Sequence, residues 1–392
     1  MANNKNSIND FRLPAEWEQQ SGVQLTWPHA NTDWKPYLEE ITKVFIEMAK
    51  VITNEELLVV VTPEIDAVKN KLSKELTVQQ MDNVIFYDID TNDTWARDHA
   101  PMTLISGSKE TRILDFKFNG WGEKFEWRKD NAITAKLNDC AAFNADYEDD
   151  TDFVLEGGSI ESDGKGSIFT TSFCLMADHR NQPLTRDKVE ERLLKSLHAE
   201  RIVWLHNGQL IGDDTDGHID TIVRLAPNDT IVYNGCDDEN DEQYRDFRTL
   251  ENQLKQIKTL DEKPYNLLRL PIPDAIYDDG ERLPATYANF VITNKSVICP
   301  TYSQPAKDAI AKEVLQRAFP NHTVVGVDAS VVIRQHGSLH CLTMQYPEGT
   351  LKWIGQILII LSKGFLSILK CQFCNARINL DFVQTNLLSY SF

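Results

Sequence analysis

The chain has 392 residues, of which 42% are hydrophobic and 25% charged, and its formal net charge is −19. This composition is typical of a folded globular protein that buries a substantial core. The negative charge argues against a nucleic-acid partner, because affinity for nucleic acid comes from cationic side chains that neutralise phosphates; it suits a small cationic ligand, or solubility alone.

The N-terminal ten residues contain neither an apolar run nor a small-residue cleavage site, so we expect no signal or transit peptide. The seven cysteines form an odd and scattered set, unlike the dense disulfide frameworks of small secreted domains. Both features predict a cytoplasmic protein.

One pattern recurs three times along the middle of the chain: two strands joined by a turn, then an amphipathic helix and a further strand. The copies span residues 153–205, 219–270 and 287–327, with predicted first strands at 153–160, 219–225 and 287–292.

Weaker copies lie on either side of these three. One contains strands 95–105 and 112–118, and in the other a strand at 338–345 is predicted to pair with 23–27. A ββαβ unit leaves one sheet face uncovered unless a neighbour stacks against it, so five modules closing in a ring are physically reasonable. The sequence therefore predicts an α/β fold with one domain over residues 1–348.

Residues 349–392 differ from the rest, since they form an apolar and basic extension whose role stays open. Lys363 interrupts its apolar run before the roughly 18 residues that a membrane span needs, so we expect no membrane crossing. An interfacial helix remains an alternative. Cys371 and Cys374 have the spacing of half a zinc site without a second pair, and we predict no metal.

Five short motifs carry reactive side chains, and each begins one of the five modules. They are Thr-Trp-Ala-Arg-Asp at 94–98, Glu-Gly-Gly at 156–158, Gly-His-Ile-Asp at 217–220, Tyr-Ala-Asn-Phe at 287–290 and His-Gly-Ser-Leu-His-Cys at 336–341. In a ring the equivalent first strands meet near the axis. The reactive side chains are therefore expected to converge on one cavity.

Such a set suits the hydrolysis of a guanidinium group. Carboxylates match the planar fork of guanidinium donors, and Asp98, Glu156 and Asp220 supply them. Cys341 provides a nucleophile stronger than water. His218 has the pKa range to protonate departing ammonia and then to take a proton from water.

Each residue also has an ordinary structural explanation. A buried cysteine such as Cys341 is usually a small hydrophobic residue. His218 and Asp220 lie two positions apart, and so on one face of a strand, but this spacing is common. Glu156 before two glycines fits a β-bulge, and Asn289 fits a turn. Only their joint occurrence at matching points of successive modules favours catalysis.

These motifs, with the Leu-Pro-Ala-Glu-Trp-Glu segment at 13–18 and Thr-Trp-Pro-His at 26–29, resemble the agmatine deiminase and bacterial-type peptidylarginine deiminase family over about residues 11–347. The resemblance implies a five-bladed α/β propeller of the pentein type and a covalent thiouronium intermediate. It also implies ammonia release without a metal or organic cofactor, and a homo-oligomer.

The resemblance assigns a role to each motif residue. The implied catalytic residues are Cys341, His218, Asp98 and Asp220, with Cys341 as nucleophile, His218 as general acid and base, and the two aspartates as guanidinium clamps. The implied substrate-binding residues are Glu156, Trp95, Trp121 and Asn289. An aromatic face suits a flat cation, although core packing is the alternative for both tryptophans.

Agmatine is the favoured substrate, because apart from Arg97 the motifs offer no obvious cation for the carboxylate of arginine. Deimination of peptidylarginine or of free arginine is the alternative. An inactive propeller that binds cationic ligands would not need the thiol, and a cysteine hydrolase acting on acyl groups would suffer from carboxylates that repel its oxyanion.

Overall fold

The computed structural model describes residues 11–352. The strands in this part of the chain are β1 (Phe11–Arg12), β2 (Gln20–Thr26), β3 (Leu57–Thr62), β4 (Val84–Asp88), β5 (Met102–Ser106), β6 (Thr111–Lys117), β7 (Asp146–Val154), β8 (Ile160–Ser162), β9 (Ser167–Thr171), β10 (Arg201–Leu205), β11 (Val223–Ala226), β12 (Thr230–Gly235), β13 (Asn266–Pro271), β14 (Tyr277–Asp278), β15 (Glu281–Arg282), β16 (Val291–Ile292), β17 (Ser296–Thr301), β18 (Thr323–Asp328) and β19 (Thr343–Pro347).

The α-helices between these strands include several single turns. They are α1 (Leu38–Ile52), α2 (Ile65–Glu75), α3 (Val78–Met81), α4 (Ala96–His99), α5 (Gly120–Glu123), α6 (Arg128–Asn131), α7 (Ile133–Asp139), α8 (Ser172–Leu175), α9 (Arg186–Ser196), α10 (Tyr244–Leu254) and α11 (Pro305–Ala318). Short 3-10 helices lie at Lys35–Tyr37, Gly157–Ser159, Ile219–Thr221, Val332–Gln335 and His340–Leu342.

Five sheets share one pairing order, in which an antiparallel pair is extended by a parallel strand. Their strand orders are β1-β5-β6-β7, β8-β9-β10, β11-β12-β13, β16-β17-β18 and β19-β2-β3-β4, and β14 and β15 form a separate hairpin. The last strand of the described chain pairs with one of its first, since Thr343 in β19 lies opposite Leu25 in β2. The prediction of an α/β fold is confirmed.

The predicted first strands were too long, and they began too early. The strand predicted at 153–160 is in fact the end of β7, a 3-10 turn and the start of β8. The motifs at 94–98, 217–220 and 336–341 likewise reach into single helical turns ahead of a shorter strand, as at Ile219–Thr221 before β11, whereas the motif at 287–290 is irregular backbone before β16. The apolar residues of the motifs read as strand because they are buried, but the backbone there is turned.

The helices pack on the sheets through one apolar face. In α1 the buried residues include Ile41, Phe45, Met48 and Ile52, which are spaced three or four positions apart and so line one side of the helix. The polar motif residues Asp98, Asp220 and Asn289 are buried as well, so the motifs lie inside the fold.

A buried arginine joins three of the sheets. Arg224 in β11 donates to Glu161 in β8 at 2.5 Å and to the carboxylate of Glu16 at 2.5 Å. It also donates to the carbonyl oxygen of Phe290, just before β16. The side chain of Arg224 is fully buried, so its positive charge is balanced by these two carboxylates.

No helix among residues 11–352 is long and apolar enough to cross a membrane. Nearly all of the predicted extension at 349–392, including Lys363 and the Cys371 and Cys374 pair, lies outside the described residues.

Arg224→Met should strongly destabilise the fold, because it leaves Glu16 and Glu161 buried without their shared cation. Removing one partner of a buried ion pair costs about 3–5 kcal/mol. Urea unfolding followed by tryptophan fluorescence should show the transition at a clearly lower urea concentration. The matched control is Arg128→Met, whose pair with Glu126 is 71% and 75% exposed and should contribute less than about 1 kcal/mol. Equal effects of the two substitutions would contradict the role of Arg224.

Candidate active site

Reactive side chains from two distant segments meet around Gly158: Asp98 in α4, and His218 and Asp220 at the 3-10 helix Ile219–Thr221. A Cβ atom at position 158 would lie 2.5 Å from His218 Nδ1, 2.9 Å from Asp98 Oδ1 and 3.2 Å from Asp220 Oδ2. Only glycine leaves these groups room. The structure therefore brings the segment of Asp98 against Gly158, 60 residues further along the chain.

Cys341 lies in the same cluster and is held by Asn289. The Asn289 Oδ1 atom accepts from the backbone N–H groups of His340 (2.9 Å) and Cys341 (3.2 Å), while its Nδ2 atom donates to Cys341 Sγ at 3.3 Å. Cys341 is a free thiol and is 3% exposed. Burial, together with the negative charges of Asp220 and Asp98, raises the pKa of Cys341 well above its ordinary value.

Asp220 is fixed by a chain of buried ionisable groups. Its Oδ2 atom lies 2.7 Å from His340 Nδ1 and 3.8 Å from Cys341 Sγ, and His340 Nε2 lies 2.9 Å from Glu16 Oε2. Burial alone would raise the pKa of Asp220, but the hydrogen bond and charge of His340 outweigh it, so the pKa is lowered. The buried Oδ1 atom of Asp220 has no hydrogen-bond partner among the described residues.

His218 lies between two carboxylates. Its Nδ1 atom is 3.6 Å from Asp98 Oδ1 and its Nε2 atom is 3.6 Å from Glu156 Oε2, so neither nitrogen makes a hydrogen bond of ordinary length. Burial would lower the pKa of His218, but the charge of Asp98 leads the opposing effects, and the pKa is raised well above its ordinary value. Neither nitrogen of His218 has a hydrogen-bond partner among the described residues.

Asp98 is anchored on both oxygens. Its Oδ2 atom accepts from Trp121 Nε1 at 2.9 Å and its Oδ1 atom from the backbone N–H of Gly158 at 3.1 Å. Burial raises the pKa of Asp98 to about 6, with the positive charge of His218 opposing it. Trp121 aims its indole N–H from a backbone with φ of 54°, a left-handed conformation that is uncommon for a bulky residue.

Glu156 is ionised by a buried arginine. Arg180 Nε donates to Glu156 Oε1 at 2.8 Å, while Arg180 Nη1 donates to Asp216 at 2.9 Å. The other oxygen, Oε2, accepts from the thiol of Cys174 at 3.6 Å. Burial would raise the pKa of Glu156, but hydrogen bonding to His218 and the charge of Arg180 lower it. One face of Glu156 thus binds Arg180, and the other faces His218.

Trp95 closes the cluster on the side of the cysteine turn. Gly337 lies so close to its ring that a Cβ atom there would overlap the indole. The Trp95 Nε1 atom donates to Asp93 at 3.2 Å, and its ring packs edge-on to that of Trp121 with centroids 6.4 Å apart. The two tryptophans are therefore neighbours in one aromatic wall.

Two details differ from the sequence interpretation. His218 and Asp220 do not lie on one strand face, because His218 precedes the 3-10 helix Ile219–Thr221 that contains Asp220. The buried contacts of Arg180 and Cys174 were missed altogether. Both lie inside the first module, between β9 and α9, where no motif marks them, and only the fold brings them against Glu156.

Among the described residues, two groups of three have ligand atoms close enough together to hold a metal ion. They are Glu156, Cys174 and His218, and Glu16, Glu161 and His340. Neither group matches a metal motif in the sequence.

Asp220→Asn should make Cys341 more reactive toward iodoacetamide at constant pH. Removing a negative charge beside the thiol favours the thiolate, so the pKa of Cys341 should fall, and each unit of fall gives about tenfold more thiolate. The alkylation rate of the Cys341 peptide, followed by mass spectrometry from pH 7 to 10, measures this. Asp82→Asn, at an exposed position, is the control. A rate unchanged by Asp220→Asn would show that Asp220 does not govern the thiol.

Comparison with known proteins shows which family the chain belongs to. The sequence profile of the Porphyromonas-type peptidyl-arginine deiminase family matches residues 12–347. A Marinomonas protein described as an agmatine deiminase is 33% identical over 363 residues, covering 87% of this chain and 95% of its own.

Solved structures agree with the sequence match. The structure described as an arginine deiminase from Porphyromonas gingivalis is 42% identical with a TM-score of 0.82, and covers 87% of this chain and 100% of its own. A substrate-bound cysteine-to-serine variant of C. jejuni agmatine deiminase is 37% identical with a TM-score of 0.80, covering 87% and 97%. The chain therefore belongs to the Porphyromonas-type peptidyl-arginine deiminase family.

Proposed function

We propose that the protein is an agmatine deiminase, which hydrolyses agmatine to N-carbamoylputrescine and ammonia through a covalent intermediate on Cys341. One observation carries this proposal: a free thiol, an unpartnered carboxylate oxygen of Asp220 and both unpartnered nitrogens of His218 occur together in a buried cluster. Buried polar atoms without partners are costly, so a ligand that pairs with them gains affinity. A guanidinium supplies the N–H donors that Asp220 lacks.

In the first half of the reaction, the guanidinium binds to Asp98 and Asp220, and its positive charge offsets the carboxylates that hold Cys341 protonated. The Cys341 thiol releases its proton to solvent, and the sulfur attacks the guanidinium carbon to form a C–S bond. His218 donates a proton to one nitrogen, the C–N bond breaks, and ammonia leaves. An S-alkylthiouronium remains on Cys341.

In the second half, His218 accepts a proton from a water molecule, and the resulting hydroxide attacks the same carbon. The C–S bond then breaks and the electron pair returns to Cys341 as a thiolate. The added hydroxyl loses its proton to become the carbonyl of the carbamoyl product, and a proton from solvent restores the thiol. One water is consumed, and one ammonia is formed, which takes up the remaining proton as ammonium. His218 acts first as an acid and then as a base, so at least one of its nitrogens must be free to exchange a proton with substrate and water.

The remaining candidate residues take roles that fit their contacts. Because Glu156 is bonded to Arg180 on one side, we assign it to the orientation of His218 rather than to direct substrate contact. Asn289 positions the backbone and sulfur of Cys341. Trp95 and Trp121 form the wall against which the flat cation stacks, with a cation–π contribution of about 0.5–2 kcal/mol.

The relatives support agmatine over arginine. Agmatine deiminase is the description of the Marinomonas and C. jejuni proteins, and the C. jejuni structure holds its substrate in a variant that lacks one cysteine. The P. gingivalis structure and the family name point to arginine or peptidylarginine, which is the second candidate. Within this chain, the charge balance favours agmatine, because Arg180 and Arg224 are already paired with carboxylates and cannot bind the carboxylate of arginine.

The larger architecture follows from the same proposal. We infer that the five sheets surround the cluster as a closed five-bladed propeller in one domain, and the pairing of β19 with β2 supports the closure. Assembly as a homo-oligomer and a location in the cytoplasm stay predictions.

Agmatine should be processed about ten- to hundredfold better in kcat/KM than free arginine. The carboxylate of arginine would enter an acidic site without a free cationic partner, which costs on the order of 1–3 kcal/mol. Ammonia release with agmatine, arginine and a peptidylarginine at one ionic strength measures the preference. Equal rates with arginine or the peptide would keep the chemistry but overturn the substrate.

Cys341→Ser should abolish turnover, because a serine hydroxyl is far less ionised than a thiol near neutral pH.

His218→Asn should instead stop ammonia release or trap an adduct on Cys341, which mass spectrometry of quenched protein would detect. Asn266→Asp, at the exposed first position of β13, serves as a control for mutagenesis. Full turnover by His218→Asn would remove that histidine from the mechanism.

A further inference from the structure

The thiol of Cys174 has no part in the reaction above, although it lies against the catalytic cluster. Cys174 is a free cysteine in α8 and is fully buried. Its sulfur is 3.6 Å from Glu156 Oε2, and the same oxygen is 3.6 Å from His218 Nε2. A soft sulfur, an imidazole nitrogen and a carboxylate oxygen therefore face one point.

These separations match those between the ligands of a tetrahedral metal. Zinc binds sulfur at about 2.3 Å, histidine nitrogen at about 2.0–2.1 Å and carboxylate oxygen at about 2.0–2.2 Å, which places neighbouring ligand atoms about 3.3–3.6 Å apart. All three atoms of the cluster lie within 4.8 Å of one another. Only small movements would bring the three ligands to one ion.

The second group of possible ligands, Glu16, Glu161 and His340, is already occupied by other contacts, whereas the group around Cys174 is not. In that group, Arg224 already binds both Glu16 and Glu161, and both nitrogens of His340 are engaged. In the first group, Arg180 holds only Oε1 of Glu156. The Oε2 atom is left to Cys174, and both nitrogens of His218 lack a hydrogen-bond partner.

We propose that Cys174, His218 and Glu156 form a binding site for a thiophilic divalent cation of the zinc class, and that a bound cation blocks hydrolysis. Three protein ligands leave the fourth tetrahedral position to water. Coordination would deprotonate Cys174 and occupy Nε2 of His218, and an imidazole bound to the cation cannot carry the second proton that it must donate to the departing ammonia. Metal and guanidine substrate would therefore exclude one another. The inhibitory half of this proposal rests on the proposed function, whereas the binding half does not.

Co²⁺ provides a direct test, because tetrahedral cobalt bound to a thiolate absorbs strongly by charge transfer. The full-length Cys341→Ser variant removes the nucleophile as a competing ligand. Titration should show one equivalent of Co²⁺ with a thiolate band that Zn²⁺ displaces. Adding Cys174→Ser should abolish this band and raise the Kd by about tenfold or more. Cys236→Ser, at another buried free cysteine, should leave both unchanged.

All of these titrations are made in the Cys341→Ser protein, so the other thiols contribute equally to every variant. A difference between variants therefore reports on Cys174 alone. If Cys174→Ser proves unfolded by circular dichroism, His218→Asn in the Cys341→Ser background provides the second variant and should weaken binding similarly. A thiolate band that persists without Cys174, or no band in Cys341→Ser, would overturn the site.

Displacement of Co²⁺ by agmatine in Cys341→Ser tests the inhibitory half. Agmatine should raise the apparent Kd for Co²⁺ in proportion to its concentration, and no effect would overturn mutual exclusion. If the wild-type protein fails to hydrolyse agmatine while the cobalt band depends on Cys174, the proposed function falls and the metal site stands.

Discussion

The buried pairing of Arg224 with Glu16 and Glu161 is the interaction on which the rest of the site depends. It brings strands from two sheets and the N-terminal segment to one point. Glu16 then contacts His340, and His340 contacts Asp220 beside Cys341. The position of the Asp220 carboxylate is therefore set by an ion pair that also stabilises the packing of the modules.

This arrangement explains how an acidic cluster can remain folded and still be reactive. Buried carboxylates repel one another, and each uncompensated charge is costly. Arg224 and Arg180 neutralise the carboxylates behind the reacting groups, while Asp98 and Asp220 keep Cys341 protonated. In the proposed reaction, Cys341 becomes a thiolate mainly when the cationic substrate binds beside Asp98 and Asp220. The proposed mechanism thereby couples the reactivity of the thiol to the presence of substrate.

The repeated modules could be predicted from sequence, because hydrophobic period marks strands such as β12 and β17 and helices such as α11. The matching positions of the motifs within the modules also predicted that their side chains would lie close together, whereas the roles of those side chains stay predictions. The turns that carry the motifs could not be predicted. Residue 158 must be glycine because the Cβ of any other residue would overlap His218, Asp98 and Asp220. This constraint appears only when distant segments of the chain meet. Arg180 was missed for the same reason, since its partners Glu156 and Asp216 lie 24 and 36 residues away.

The distribution of arginines also bears on what the site selects. Arg180 and Arg224 are bonded to carboxylates, so neither is available to a substrate anion. Arg97 retains unpartnered nitrogens, but its Nη2 atom lies 3.8 Å from Glu16 and its Nη1 atom donates to Met344 Sδ at 3.4 Å. A substrate carboxylate near Cys341 would meet Asp98 and Asp220 without a facing cation. The negative charges of Asp98 and Asp220, which keep Cys341 protonated in the free protein, would also repel the carboxylate of arginine. In the proposed reaction, the same two carboxylates therefore control both the ionisation of the thiol and the choice of substrate.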